Sequence, residues 1–215
     1  MTTPEPPPAQ PSEPAPADRV FRSPMGIAGG VFLLALAGVL GGDSLVRGEG
    51  RVPWLTLAAL VLAVPLIVAF TIRPAVYVND DRMRVRNPFR TLVLPWGSVA
   101  DVRAGYSSEV LTHAGDRYQL WAVPVSLRQR KRAARRASRA ASDDPHGRTS
   151  ATADVRDSKA RTAPADQTVA DLRELAERHA NRPEAQGEPQ IRWAYEIIAP
   201  AVAGLVLLVI LAATG

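Results

Sequence analysis

Arginines carry the strongest chemical pattern in this chain. Arg82, Arg84 and Arg86 occupy alternate positions of one short run, with Arg90 four residues beyond. On a strand, alternate side chains share a face at repeats of about 6.6 Å, so three planar guanidinium forks would point one way and straddle phosphate oxygens. A second group, Arg128, Arg132, Arg135 and Arg139, is spaced to share one side of a helix, opposite Ala133, Ala134, Ala137, Ala140 and Ala141. These eight arginines form the candidate patch for anionic lipid or phosphate. A plainer reading stands beside each group: a solvated strand face, and a helix packed through its alanines.

Other chemistry is sparse. The three histidines, His113, His146 and His179, lack the i, i+4 or glutamate-linked spacing of a metal site. With no cysteine there is no disulfide framework, thiolate metal site or lipid-modified cysteine. No glycine-rich loop opens a helix and no nucleophile elbow is present. The chain reads as a non-enzyme without cofactor or metal. Its 26 basic against 21 acidic residues and pI near 10.2 would fit nucleic acid, but the charge gathers beside apolar runs and no nucleic-acid module appears, so no such partner is expected.

Three apolar runs free of charged residues set the frame: Met25 to Gly42, Pro53 to Ile72 and Ile197 to Ala213, of 18, 20 and 17 residues. A helix needs about 20 to cross a hydrocarbon core roughly 30 Å thick, and backbone groups in lipid must be satisfied within the segment. Three transmembrane helices are therefore predicted at 25–42, 53–72 and 194–213. A 24-residue prefix with eight prolines and two glutamates is a poor signal-peptide start, so the first run is expected to be a retained anchor. Only Arg47 and Arg51 lie in the hairpin between the first two runs. Arg73, Arg82, Arg84, Arg86 and Arg90 follow the second run, Arg178, Arg182 and Arg192 precede the third, and Arg19 and Arg22 precede the first. This asymmetry predicts N-terminus and polar stretch inside, hairpin and C-terminus outside. No Asp or Glu stands within the apolar runs, with Glu196 at the edge of the third, so an ion relay lacks an obvious ligand and a transporter acting alone is not expected.

In the first span, Gly26, Gly30, Gly38 and Gly42 include pairs four residues apart, a spacing that lets helix backbones approach closely. They predict packing on the second span of the same chain or, alternatively, a homodimer.

From Pro74 to Val125 the pattern turns to period two with turn residues between short runs, predicting about six strands: Ala75 to Val78, Arg82 to Arg86, Thr91 to Leu94, Val99 to Arg103, Glu109 to His113 and Tyr118 to Val123. Trp96 and Trp121 are expected in or against the core. A helix capped by Ser126 is predicted to run to Ala141, followed by a disordered linker over 142–166, an amphipathic helix over 167–182 and a second linker to Gln190. The tail 1–24 is expected to be disordered.

The run Leu94-Pro95-Trp96-Gly97-Ser98-Val99-Ala100-Asp101-Val102 resembles the strand-turn-strand signature of bacterial pleckstrin-homology-like (PH) domains. Gly115-Asp116-Arg117-Tyr118-Gln119-Leu120-Trp121-Ala122-Val123-Pro124 is similar to the membrane-tethered low molecular weight protein antigen 6 group. The resemblance implies a multi-pass plasma-membrane protein carrying a small cytoplasmic, mainly-β PH-like barrel over 74–141, capped by a helix. The family barrel has seven strands, one more than is counted here. The expected function is a membrane-anchored interaction or scaffold module presenting this domain at the leaflet to a protein partner or an anionic lipid. The alternative is an accessory subunit of a larger envelope or transport complex, with an enzyme of unknown type third.

Overall fold

The computed structural model describes residues 18–105, 107–125, 135 and 164–214. Among the described residues, three helices are long and apolar enough to cross a membrane: α1 (Pro24–Arg47), α2 (Val52–Ile67, continued by a π turn Val68–Ile72) and α4 (Tyr195–Ala213), with mean hydropathies of 2.0, 2.6 and 2.5. Ser23 starts α1 by accepting the Gly26 amide at 3.1 Å, with Pro24 filling the first turn where no donor is needed. The helix runs a turn beyond Gly42, where Asp43 and Arg47 pair at 3.1 Å. Pro65 removes a donor inside α2, and the helix relaxes three residues later into the π turn, closed by the Arg73 amide on the Val68 carbonyl at 2.9 Å.

The three apolar helices pack with α2 central. A Cβ added at Gly30 would stand 2.1 Å from the Thr71 hydroxyl, one at Gly41 2.8 Å from Leu60, and one at Gly204 2.4 Å from the Leu62 backbone nitrogen. Of the four glycines picked out by spacing, Gly30 therefore makes a close approach to α2, Gly26 meets Ser23 and the Thr71 carbonyl, and Gly38 and Gly42 face open space. Ser44 and Thr56 share a hydrogen bond of 2.7 Å across α1 and α2, and Arg51 in the hairpin donates to the Leu211 carbonyl.

The polar stretch folds as two antiparallel sheets. One has the order β1-β2-β3-β4-β8, from β1 (Arg19–Phe21), β2 (Ala75–Val78), β3 (Arg82–Arg86), β4 (Arg90–Pro95) and β8 (Gln190–Trp193); the other joins β5 (Val99–Ala104), β6 (Ser108–Thr112) and β7 (Arg117–Gln119). Among the described residues no ladder joins the two sheets, so the expected closed barrel is replaced by two sheets over one core. Both edges of the larger sheet come from segments directly flanking the apolar helices: β1 from the expected tail 1–24, and β8 from the end of the expected linker at Gln190 and the three residues after it. β1 pairs with β2 through Val20↔Tyr77, and β8 pairs with β4 through Leu92↔Ile191. The N-terminal ends of α1 and α4 and the C-terminal end of α2 are thereby gathered at one sheet.

Period two explains the core. Met83 and Val85 point inward between outward Arg82, Arg84 and Arg86, and Leu92 and Leu94 do the same on β4. Trp96, in the turn between β4 and β5, is wholly buried, and its indole donates to the Asn79 carbonyl at 2.8 Å. Trp121 is not in the core: it is 42% exposed, in the turn after β7. Asn87 is buried and ties the sheets together, donating to the Gln119 carbonyl at 2.8 Å and accepting the Trp121 amide at 3.3 Å.

Helix α3 (Pro164–His179) covers β5 and buries Val169, Leu172, Leu175 and Ala176 in the same core. The helix expected over 126–141 lies outside the described residues except for Arg135, which is helical and exposed. The linker expected over 142–166 lies outside them up to residue 163.

An ion pair clamps α3. Asp101 accepts from Arg103 at 2.6 Å and from Arg173 at 3.0 Å, and Arg173 also donates to the Val102 carbonyl at 2.7 Å. The Arg103 hydrogen bond, opposed by partial burial and joined by the Arg173 charge, holds the Asp101 carboxyl below its ordinary 3.8. Its folded pKa is depressed, so this stabilisation is complete above the ordinary carboxylate value and is lost as pH falls through the folded value. Acidification from about pH 4 downward is expected to lower the melting temperature of the detergent-solubilised chain less steeply in Asp101→Asn than in the wild type. Parallel acid profiles would remove Asp101 from this role.

Candidate functional site: an arginine groove where the sheet meets the spans

Strand register assembles the outer face of the larger sheet. Tyr77, Arg84, Val93 and Gln190 form one cross-strand row over β2, β3, β4 and β8, and Arg86, Thr91 and Arg192 form the next. The rows line a groove of about 660 Å³ that also takes in Arg82 and, from the span ends, Arg73, Trp193 and Glu196. Among the described residues, five guanidinium groups thus face one concavity lined by a single carboxylate.

These arginines differ in how firmly they are held. The Arg73 side chain is only 8% exposed and donates to Glu196 at 2.8 Å, to the Asn87 carbonyl at 3.3 Å and to the Thr91 hydroxyl at 3.4 Å, joining the end of α2 to the sheet and to α4. Arg84 lies 4.6 Å over the Tyr77 ring and pairs with Asp18 at 2.9 Å. The Tyr77 hydroxyl accepts from Arg22 at 2.8 Å and from Arg86 at 3.4 Å. Burial pushes the phenol up, but the hydrogen bonds and charges of Arg86 and Arg22 outweigh it and hold Tyr77 below its usual value. Arg82 and Arg192 are exposed and have no carboxylate partner among the described residues. A tethered Arg73, an Arg84 and Arg86 oriented by one phenol, and two uncommitted arginines suit a phosphate or phosphodiester, which guanidinium forks grip in bidentate fashion.

Arg82, Arg84 and Arg86 of the predicted patch meet here. Arg90 does not: it shares the face of Leu92 and Leu94, and its guanidinium sits 5.6 Å over the Tyr118 ring. Arg128, Arg132 and Arg139 lie outside the described residues, and Arg135 does not line the groove. Arg73 and Arg192 were missed as groove residues. Their position beside spans marked them as topology signals, and only the pairing of β8 with β4 brings Arg192 next to Thr91. Of the histidines, His113 is exposed in a turn, and His179 is buried on α3 with Nε2 3.8 Å from Asp80.

Residues 73–146 match the family model of the bacterial PH domain, a description that does not include the antigen 6 name. α3 and β8 lie beyond the matched residues. No curated protein and no solved structure matches the chain.

Proposed function

We propose that this bacterial PH-like domain is a membrane-anchored interaction module whose arginine groove binds the phosphate of an anionic lipid in the leaflet that its own helices enter. The observation that carries this reading is the convergence of Arg73, Arg82, Arg84, Arg86 and Arg192 on one concavity that opens beside Trp193 and Glu196, at the ends of the spans. A lysine or arginine near an anionic surface contributes about 1 kcal/mol, and the spans hold the groove at high effective concentration relative to headgroups. Binding rather than catalysis fits the lining, whose one carboxylate is engaged by Arg73.

Arg82→Gln, Arg84→Gln and Arg192→Gln together leave the Arg73 tether intact. Three lost contacts of about 1 kcal/mol each predict a roughly hundredfold weaker affinity for short-chain phosphatidylglycerol, titrated into the detergent-solubilised full chain. Phosphatidylcholine is expected to bind weakly to both forms. Equal phosphatidylglycerol affinity in the triple variant would remove the groove from lipid binding.

In this reading the domain faces the cytoplasm, in accord with the arginine asymmetry about the spans. A phosphatase reporter active only outside is expected to be active when inserted at Gly48 or fused after Gly215, and silent at Ser150. Activity at Ser150 would invert the orientation.

A further inference from the structure

We infer that the turn Leu120–Val123 is an additional membrane contact, with the Trp121 indole seated in the headgroup and acyl boundary beside α2. This rests on the position of Trp121 and is independent of what the arginine groove binds. The Trp121 ring lies 5.4 Å from the Phe70 ring at a 59° tilt, and Phe70 in turn meets Phe89 edge-on at 5.3 Å. Phe70 belongs to the π turn that ends the second span, two residues before Ile72. At about 1.5 Å per residue its backbone lies roughly 3 Å inside the span end, the level at which tryptophan and tyrosine concentrate at membrane surfaces. The same turn reaches the start of the first span as well, since Ala122, Val123 and Pro124 line a cavity of about 480 Å³ with Pro24 and Met25. Two span ends therefore border this turn.

Its presentation is rigid. The Leu120 amide donates to the Ser108 carbonyl at 2.8 Å, the Val123 amide to the Leu120 carbonyl at 3.1 Å, and the Trp121 amide to the Asn87 side chain at 3.3 Å, while Leu120, Ala122 and Val123 are buried. Only the indole is turned outward, beside Phe70, which is itself 42% exposed. An amphipathic ring held outward next to a span residue has lipid, not water, as its surroundings. The contact would stop the domain from swinging about its span connections and so hold the adjoining sheet at a fixed height over the leaflet.

The chain has no cysteine, so one introduced thiol reports on one place. Trp121→Cys, labelled with an environment-sensitive nitrobenzoxadiazole probe in the full chain reconstituted into phosphatidylglycerol and phosphatidylcholine vesicles, is expected to show blue-shifted emission, quenching by a shallow nitroxide lipid and no quenching by aqueous iodide. Arg117→Cys, at an exposed position of β7, is expected to show the reverse. Emission and iodide quenching at position 121 matching those at 117 would overturn the inference. If the cysteine variant fails to fold, Trp121→Phe decides the question: the difference spectrum between wild type and variant should be quenched by brominated lipid. A difference spectrum quenched by iodide alone would overturn it.

Discussion

Trp96→Ala is expected to abolish cooperative melting of the β domain. The side chain is wholly buried in the turn between β4 and β5, amid the shared core of both sheets. Its indole also satisfies the Asn79 carbonyl at 2.8 Å, while its amide bonds to Asp81 at 3.2 Å, so the residue pins the β2–β3 turn to the chain entering β5. Truncation removes a large apolar ring, leaves a cavity and orphans a carbonyl acceptor. Tryptophan-to-alanine changes of this kind cost about 3–5 kcal/mol, a large fraction of the stability of a small domain. Trp121→Ala is expected to cost far less, because that ring is 42% exposed. Thermal unfolding followed by near-ultraviolet circular dichroism in detergent separates the two. A near-native melt for Trp96→Ala would contradict the packing described.

Gly204→Leu is the second large effect. A Cβ at this position would fall 2.4 Å from the Leu62 nitrogen and 2.8 Å from both the Leu62 Cα and the Val61 carbonyl carbon, which are backbone atoms that cannot rotate aside. Association of helices in lipid depends on close packing rather than on expulsion of water, so forcing α2 and α4 apart removes what holds them. The cost is expected near ~3 kcal/mol, the upper end of overpacking, because backbone rather than side chain must move. A Cβ at Gly38 meets nothing within 4 Å, so Gly38→Leu is expected to be neutral. The check is the midpoint of unfolding in a titration of mild detergent with dodecyl sulfate. A Gly204→Leu midpoint equal to that of Gly38→Leu would show that the close approach is not retained.

The sequence made some of this architecture legible because the relevant signals are local. Charge-free runs mark the spans, and alternation marks β2 to β6, since inward Met83 and Val85 between arginines need no knowledge of partners. The edge strands were not legible for the opposite reason. Arg19–Phe21 is three residues long and Gln190–Trp193 is exposed throughout, so neither shows a buried face, and both become strands by pairing with β2 and β4. Arg73 and Arg192 were invisible as groove residues because their roles depend on that same pairing. Arg90 was misplaced because the turn after Asn87 was read without its register; Arg86↔Thr91 puts Thr91, not Arg90, on the groove face. The apolar character of Trp121 points to a place in or against the core, whereas the half-exposed ring meets Phe70 of α2. The spacing of Gly26, Gly30, Gly38 and Gly42 names helix faces but not which face meets α2, and the further close approaches at Gly41 and Gly204 carry no such spacing signal.

The central claim is that the concavity between β2, β3, β4 and β8 holds an anionic headgroup. A phosphatidylglycerol analogue bearing a photoreactive group on its headgroup, incorporated into vesicles with the full chain and activated by light, reads the location directly. Crosslinked peptides are expected to map to Arg82–Val93 and Gln190–Trp193, with labelling suppressed by unlabelled phosphatidylglycerol and by the Arg82, Arg84 and Arg192 triple variant. Labelling confined to the hairpin Gly48–Arg51 or spread evenly along the spans, and unchanged in the triple variant, would contradict it.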